Sequence, residues 1–222
     1  MHEHHLARAL QFYAGYGVLC ALLLLLPVPL AAGAKVLLLV IVWNLLLPLA
    51  AWRLGYSAWL RLWLFLVPLS IFQIFADWFF CDSIKTLSFA DNGSPLIGPV
   101  PIYMAGMWSI GLFLLVLIGQ SLAWTSYFSV TVLAVALASV AIFFPTEMLA
   151  FHLPLWKALD VPTTLHVANY IVPAEILLGV STFLIYEQVQ AAGWPTRLFS
   201  AAGITLMYTG AAGVSYLFLG RG

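Results

Sequence analysis

The chain has 222 residues, of which 64% are hydrophobic and 7% are charged, and its formal net charge at pH 7 is zero. Soluble globular domains carry about 25% charged residues, so this composition excludes an ordinary soluble protein. The balanced charge argues against nucleic acid as a partner, because binding to phosphates requires a basic face.

Apolar runs of about 20 residues, the length with which a helix crosses a bilayer, follow one another along the whole chain. We expect seven spans, near residues 11–32, 35–54, 57–81, 98–119, 124–146, 163–187 and 196–219. Few residues remain between them. The sequence therefore predicts an all-α protein in which residues 1–222 form one membrane-embedded bundle of seven transmembrane helices. We expect an integral membrane protein of the bacterial cytoplasmic membrane, with membrane lipid around it.

The amino-terminal segment has features of a secretory signal. Arg8 precedes the first apolar run, which ends in the small residues Ala31-Ala32-Gly33-Ala34. We expect this run to be retained as the first span.

Histidine and cysteine give little indication of metal or disulfide chemistry. His2, His4 and His5 fit a flexible terminus better than a metal site. Cys20 and Cys81 fall in different predicted helices, where free thiols usually serve packing. We expect neither a metal nor a cofactor.

The basic residues do not decide the orientation of the bundle. With the amino terminus inside, the positive-inside rule gives a tie: inside are Arg8, Arg53, Arg61 and Arg197, and outside are Lys35, Lys85, Lys157 and Arg221. The acidic residues are distributed less evenly between the two membrane faces. At or beyond one face lie Asp77, Asp82, Asp91, Glu147 and Asp160, and at the other lie Glu3 and Glu187. The connections 82–97 and 147–162 on the first face are long enough to cover a cavity. We expect a site that opens toward them.

Carboxyl groups in the apolar segments are the main candidates for chemistry. Asp77 and Glu175 lie within predicted spans and Glu147 lies at the edge of one, where acids are costly and often functional. No Lys or Arg lies inside a predicted span, so burial without a counter-charge favours the protonated form. A protonated carboxyl group is a general acid. We take Asp77, Glu175, Glu147 and Asp82 as candidate catalytic residues.

The sixth run is predicted to start as a helix at Pro162-Thr163-Thr164. It then places His166, Asn169 and Tyr170 along one face, and Glu175 about 12 residues or 18 Å from the start, near the bilayer midplane. His166 and Glu175 fall on opposite sides of an ideal helix, so both face one cavity only if Pro173 kinks the helix and rotates its second half.

Aromatic and methionine side chains near the third and fourth runs are candidate substrate contacts. Tyr103, Met107 and Trp108 recur at helical spacing, and Trp78 lies one turn from Asp82. Packing between helices is the commoner role of such a surface. The alternative is a pocket lining, shared with His166, Asn169 and Tyr170.

A protonated carboxyl group in an aromatic cavity can protonate an alkene. The tertiary carbocation would be stabilised by aromatic faces, each worth roughly 0.5 to 2 kcal/mol when desolvated. Water or a second double bond would then capture it. Such a hydratase or cyclase would act on a lipophilic isoprenoid and would need no metal or nucleotide.

Two segments resemble the polytopic carotenoid hydratases, the membrane-bound lycopene cyclases and the related seven-span terpene cyclases. The stretch from Gly98-Pro99-Val100-Pro101-Ile102-Tyr103 to Met107-Trp108 resembles the hydratases' Gly-x-Pro segment before a membrane Trp. The stretch Asn169-Tyr170-Ile171-Val172-Pro173-Ala174-Glu175 is similar to the cyclases' proline-and-glutamate motif, although Ile176 follows where the cyclases have paired acids. The resemblance implies acid-initiated chemistry on a polyene or prenyl substrate, with Glu175 and either Asp77 or Glu147 as acids.

Other seven-span classes fit less well. A retinal protein requires a lysine in its last helix, and residues 196–219 contain none. Seven-span zinc hydrolases require several membrane histidines, and only His152 and His166 lie near spans. A small transporter with proton-coupled Asp77 and Glu175, or a lipid-binding membrane protein, stays open as the alternative to an enzyme.

Overall fold

The computed structural model describes residues 2–124 and 126–220, with side chains from residue 6 onward. The described chain forms seven long helices: α1 (His2–Leu25), α2 (Ala32–Arg53), α3 (Ser57–Trp78), α4 (Met104–Ala123), α5 (Phe128–His152), α6 (Ile171–Val189) and α7 (Trp194–Leu219). A π-helical turn, Phe79–Ser83, continues α3. These seven helices are long and apolar enough to cross a membrane, which confirms the predicted number.

Large apolar side chains cover the outside of the bundle. Leu25, Phe75, Phe199, Leu206 and Phe218 are each more than half exposed and come from three different helices, α1, α3 and α7. Exposing so much apolar surface to water would be energetically unfavourable, whereas the hydrocarbon core of a bilayer accommodates it.

Buried aromatic side chains fill one half of the bundle interior. Trp43, Trp59, Phe65 and Phe113 are each at most 1% exposed. The rings of Trp59 and Phe113 meet edge to face with centroids 5.7 Å apart, and Phe12 of α1 meets Trp43 at 5.3 Å. We call these four buried residues the aromatic layer. It lies toward the end of the bundle where α3 begins.

Short paired strands lie in the connections at the other end of the bundle, and the long helices keep the fold that of the predicted all-α bundle. The strands are β1 (Leu87–Phe89), β2 (Leu96–Ile97), β3 (Val100–Pro101), β4 (Trp156–Ala158), β5 (Thr163–Thr164) and β6 (Val167–Ala168). They pair antiparallel as β1–β4, β2–β3 and β5–β6. The β1–β4 pair, with Phe89 opposite Trp156, joins the α3–α4 connection to the α5–α6 connection.

The fourth helix begins at Met104, so the predicted start near residue 98 is wrong. Gly98 and Pro99 instead form the turn between β2 and β3. Gly98 has a positive φ of 59°, which favours glycine. A Cβ there would lie 2.5 Å from the Trp78 ring, so the Gly98 turn packs directly on Trp78.

The sixth helix begins at Ile171, so the predicted start near residue 163 is also wrong. Thr163-Thr164 pairs with Val167-Ala168, and the β-branched Thr and Val side chains favour an extended backbone. Leu165 and His166, with positive φ values of 52° and 71°, form the two-residue turn between them.

The late start of α6 changes the expected depth of Glu175. It lies four residues after Ile171, which is about 6 Å along the helix axis at about 1.5 Å per residue, instead of the expected 18 Å from the helix start. Pro173 falls in the first turn of α6, where proline is tolerated without a kink. Asp77 lies one residue before the end of α3, and Glu147 lies five residues before the end of α5. The three acids therefore lie at the same end of the bundle.

Candidate active site: three carboxyl groups beside two cavities

The carboxyl groups of Asp77, Glu147 and Glu175 lie near one another at the end of the bundle that carries the strands. Asp77 and Glu175 are each 3% exposed, and Glu147 is half-buried. The three groups are close enough for their charges to interact, Asp77 with Glu147 and Glu175 with both. Three helix ends, α3, α5 and α6, therefore bring residues that are far apart in the chain into one cluster, which we call the acid cluster.

A large apolar cavity of about 340 Å³ lies on one side of the acid cluster. Its wall comes from α1, α2, α4 and α5, together with Trp156 and Glu175. Side chains at its border are half-buried or exposed, as at Tyr16, Ile142 and Thr146. The large cavity therefore opens on the flank of the bundle, between helices, rather than through an end.

A small cavity of about 40 Å³ lies on the other side of the cluster. Asp77 and Glu147 border it, with the hydroxyl-bearing side chains of Thr86, Tyr170 and Tyr208. Leu87, Phe89, Trp156 and Ala158 of the β1–β4 pair form its cover. The two long connections thus cover a cavity, as the sequence predicts.

Four residues line both cavities: Met104, Trp108, Glu147 and Trp156. Trp156 Nε1 donates a hydrogen bond of 2.9 Å to Glu147 Oε2, which fixes that carboxyl group in the shared wall. Trp108 Nε1 lies beside the carboxyl group of Asp77 and interacts with it. It forms no well-aligned hydrogen bond with any described residue. The shared wall therefore joins the three acids into one site.

Aromatic rings border the small cavity. The ring of Tyr208 lies 5.6 Å from Trp108 and 5.8 Å from Phe80, each edge to face. The Tyr170 hydroxyl and Thr86 Oγ1 are hydrogen-bonded at 2.7 Å, and burial raises the pKa of Tyr170 to about 12. Tyr170 therefore presents a neutral phenol to the site over the physiological range.

Several predicted contact residues do line the cavities. Met107 faces the large cavity, Tyr170 the small one, and Trp108 both. Among the described residues of either lining, none is Lys, Arg or His. The acid cluster therefore has no basic partner in the cavity walls.

Other predicted site residues lie outside the two linings. Asp82 is exposed and accepts a hydrogen bond of 2.6 Å from Trp78 Nε1, which explains its place one turn after Trp78. Tyr103 is fully buried, and its hydroxyl oxygen accepts a 3.5 Å hydrogen bond from Asn92 Nδ2. Burial raises the pKa of Tyr103 to about 12.

The β5–β6 hairpin holds two further predicted residues away from the acids. The exposed His166 ring stacks on Phe151 at 3.8 Å. Asn169 Oδ1 accepts a hydrogen bond of 2.7 Å from Thr164 Oγ1. The expected helix face shared by His166, Asn169 and Tyr170 is thus a hairpin and the turn that follows it.

Thr86, Trp156 and Tyr208 line the small cavity without being predicted from the sequence. Tyr208 lies in the middle of an ordinary apolar run, and no local pattern marks it. Trp156 was detectable in principle, since it is an aromatic residue inside a connection predicted to cover a cavity. Within the described part of the chain, no group of three or more His, Cys, Asp or Glu residues is placed to hold a metal ion. The side chains of His2, His4 and His5 fall outside that part.

Comparison with known proteins gives one family match. Residues 74–219 match the family described as Domain of unknown function (DUF6989). The match covers more than half of the chain and includes the whole acid cluster, whereas α1 and α2 lie before it. No curated protein and no solved structure matches the chain.

Proposed function

The chain belongs to the DUF6989 family, and we propose that it is a membrane-embedded enzyme that protonates an alkene of a prenyl, carotenoid or terpenoid lipid. The reaction would be completed by hydration or by cyclisation. One observation carries this proposal: two carboxyl groups of the acid cluster, Glu147 and Glu175, lie in the wall of a largely apolar cavity whose described lining has no basic residue, and the third, Asp77, borders the small cavity beside it.

Glu175 is the best placed proton donor. It lines the large cavity and is 3% exposed. Burial without a counter-charge favours the neutral carboxylic acid, and two neighbouring acids disfavour a charge on Glu175 further. A neutral acid that faces an apolar cavity can give its proton to a double bond, since little water competes for it.

The carbocation would form against aromatic faces. Trp108 and Phe143 line the large cavity with ring centroids 5.6 Å apart, and Tyr13 and Tyr16 line it from α1. A desolvated cation over such a ring gains about 2 kcal/mol or more. The negative charge left on Glu175 would stabilise the same cation from its own side of the cavity.

The shape of the large cavity favours a lipophilic substrate. Its volume of about 340 Å³ lies within the range of small-molecule sites, about 300–1,000 Å³. The opening between helices, near Tyr16 and Thr146, would face hydrocarbon if the apolar helices span a bilayer. A prenyl chain could then enter from the lipid. The bacterial cytoplasmic membrane stays a prediction.

The alternative is a small proton-coupled transporter or a lipid-binding membrane protein. Transport requires a path from the acid cluster to the opposite end of the bundle. The buried aromatic layer of Trp43, Trp59, Phe65 and Phe113 lies in that direction. A transporter would have to open this layer, whereas an enzyme that is loaded from the flank would not.

Lipid analysis of expressing cells tests the proposal. Extracts from cells with the wild type, with Glu175→Gln and with an empty vector are compared by mass spectrometry. We expect a hydrated or cyclised isoprenoid that the wild type makes and Glu175→Gln does not. Glu187→Gln is the matched control, because Glu187 lies at the opposite end of α6 and accepts a hydrogen bond from Gln120. Identical lipids in all four extracts would refute the enzyme.

A further inference from the structure

We propose that the small cavity is a water-binding site, and that the carbocation is captured by a water molecule held at Asp77. The enzyme would then be a hydratase that forms a tertiary alcohol. This inference rests on the proposed alkene protonation and assigns the second half of that reaction.

The size of the small cavity suits water and little else. A water molecule needs about 10–15 Å³ of cavity volume. The small cavity has about 40 Å³, room for about two or three waters. A prenyl chain does not fit there, so the two cavities separate two reactants of different size.

The polar groups around the small cavity match those that hold buried water. Asp77 Oδ2 is buried and has no hydrogen-bond partner among the described residues. The hydroxyl groups of Thr86 and Tyr170, bonded to each other, border the same space, as do Tyr208 and Glu147. A buried water usually makes about three hydrogen bonds, which this set can supply.

Hydroxyl groups of the large cavity are engaged elsewhere. Tyr13, Tyr16 and Thr146 each donate to a backbone carbonyl, at Ile110, Leu39 and Ile142 respectively. They leave the space around the substrate apolar apart from Glu147 and Glu175. Water would therefore concentrate on the Asp77 side and stay away from the substrate until a cation forms.

The shared wall brings the two reactants together. Met104 and Trp108 separate the cavities, and Glu147 borders both. The β1–β4 cover, with Phe89 and Trp156, borders the small cavity on the side of the connections. Water held in the small cavity would reach the cation from the Asp77 side.

The proposed reaction adds one water molecule and consumes nothing else. Glu175 transfers its proton to one alkene carbon, forming a C–H bond and leaving a carboxylate and a tertiary cation. The water oxygen forms a C–O bond to the cation. One proton of that water passes to Asp77, which passes a proton through Glu147 to the Glu175 carboxylate. The three acids return to their neutral state, and no oxidant or reductant is involved.

Isotope incorporation tests the inference separately from the proposed function. Membranes of expressing cells, with their own prenyl lipids and added squalene and lycopene liposomes, are incubated in H₂¹⁸O or in D₂O. We expect a lipid alcohol that gains one ¹⁸O in the first and one carbon-bound deuterium in the second. Deuterium without ¹⁸O would overturn the hydration and keep alkene protonation. Incorporation of neither isotope would overturn both.

Variants of the small cavity test the role of Asp77. Asp77→Asn is expected to lower the ¹⁸O-labelled alcohol at least tenfold, since general acid–base catalysis contributes about 100-fold or more. We also expect the ratio of carbon-bound deuterium gained in D₂O to ¹⁸O gained in H₂¹⁸O to rise, a change that simple misfolding would not produce. Thr86→Val is the second variant and should shift the product ratio in the same direction. Asp91→Asn, an exposed acid of the α3–α4 connection, is the control. An unchanged ratio in both Asp77→Asn and Thr86→Val would refute the water site.

Discussion

The hydrogen bond between Thr86 and Tyr170 allows a quantitative test of how the small cavity is built. Both side chains are 3% exposed, and their oxygens are 2.7 Å apart. Thr86→Val keeps the shape and leaves the Tyr170 hydroxyl without its partner, which costs about 1–3 kcal/mol. We expect about 1 kcal/mol, the lower end, because water in the small cavity would partly replace the lost partner. For a chain of this length that is a fall of about 2–4 °C in unfolding temperature.

Tyr170→Phe should cost a similar amount, because it leaves Thr86 Oγ1 unpaired. The double variant removes both partners, so we expect it to be less destabilised than the sum of the two single variants, by about 0.5 kcal/mol or more. Thermal unfolding in detergent, followed by circular dichroism, measures all three. Thr209→Val is the control, since Thr209 Oγ1 donates only to the Thr205 carbonyl of its own helix. Strictly additive single effects would refute the proposed pairing.

Two further properties of this end of the bundle can be measured in the same way. Gly98→Ala should destabilise the protein by at least about 1–2 kcal/mol, the cost of a non-glycine residue in the left-handed region, because the new Cβ would also lie 2.5 Å from the Trp78 ring. Gly55→Ala is the control, since Gly55 has a φ of 70° and nothing within 4 Å of its Cβ position, and it should show only the backbone cost. Equal losses of stability in the two variants would contradict the close packing of Gly98 on Trp78. The buried Tyr170 has its pKa raised from 10.0 to about 12, so its contribution to stability is complete below pH 10 and is lost as the pH rises toward 12. Unfolding temperatures measured across that range should fall less for Tyr170→Phe than for the wild type, and parallel curves would contradict the raised pKa.

The seven helices could be predicted from the sequence because each is a long apolar run that length alone identifies. Their ends could not. Thr163 and Thr164 are compatible with both a helix start and a strand. The strand forms because they pair with Val167 and Ala168, and this pairing is seen only in the folded structure. Strands of two or three residues are too short for a period-2 pattern to show.

The acids of the site could be found from their rarity in apolar segments, whereas their arrangement could not. Asp77 and Glu175 stand out against the apolar residues around them. Asp82 stands out equally, but an exposed hydrogen bond to Trp78 accounts for it. Thr86 and Tyr208 are common residue types in ordinary surroundings, and only the packing of α3, α7 and the β1–β4 cover places them beside Asp77.

The central claim is that neutral carboxylic acids are held beside an apolar cavity, and infrared spectroscopy measures this directly. Purified protein in lipid at neutral pH should show the C=O stretch of a protonated carboxylic acid. We expect part of that band to disappear in Glu175→Gln and to persist in Glu187→Gln. If Glu175→Gln instead removes only a carboxylate stretch, the acid is ionised at neutral pH, and it cannot be the proton donor proposed for the alkene.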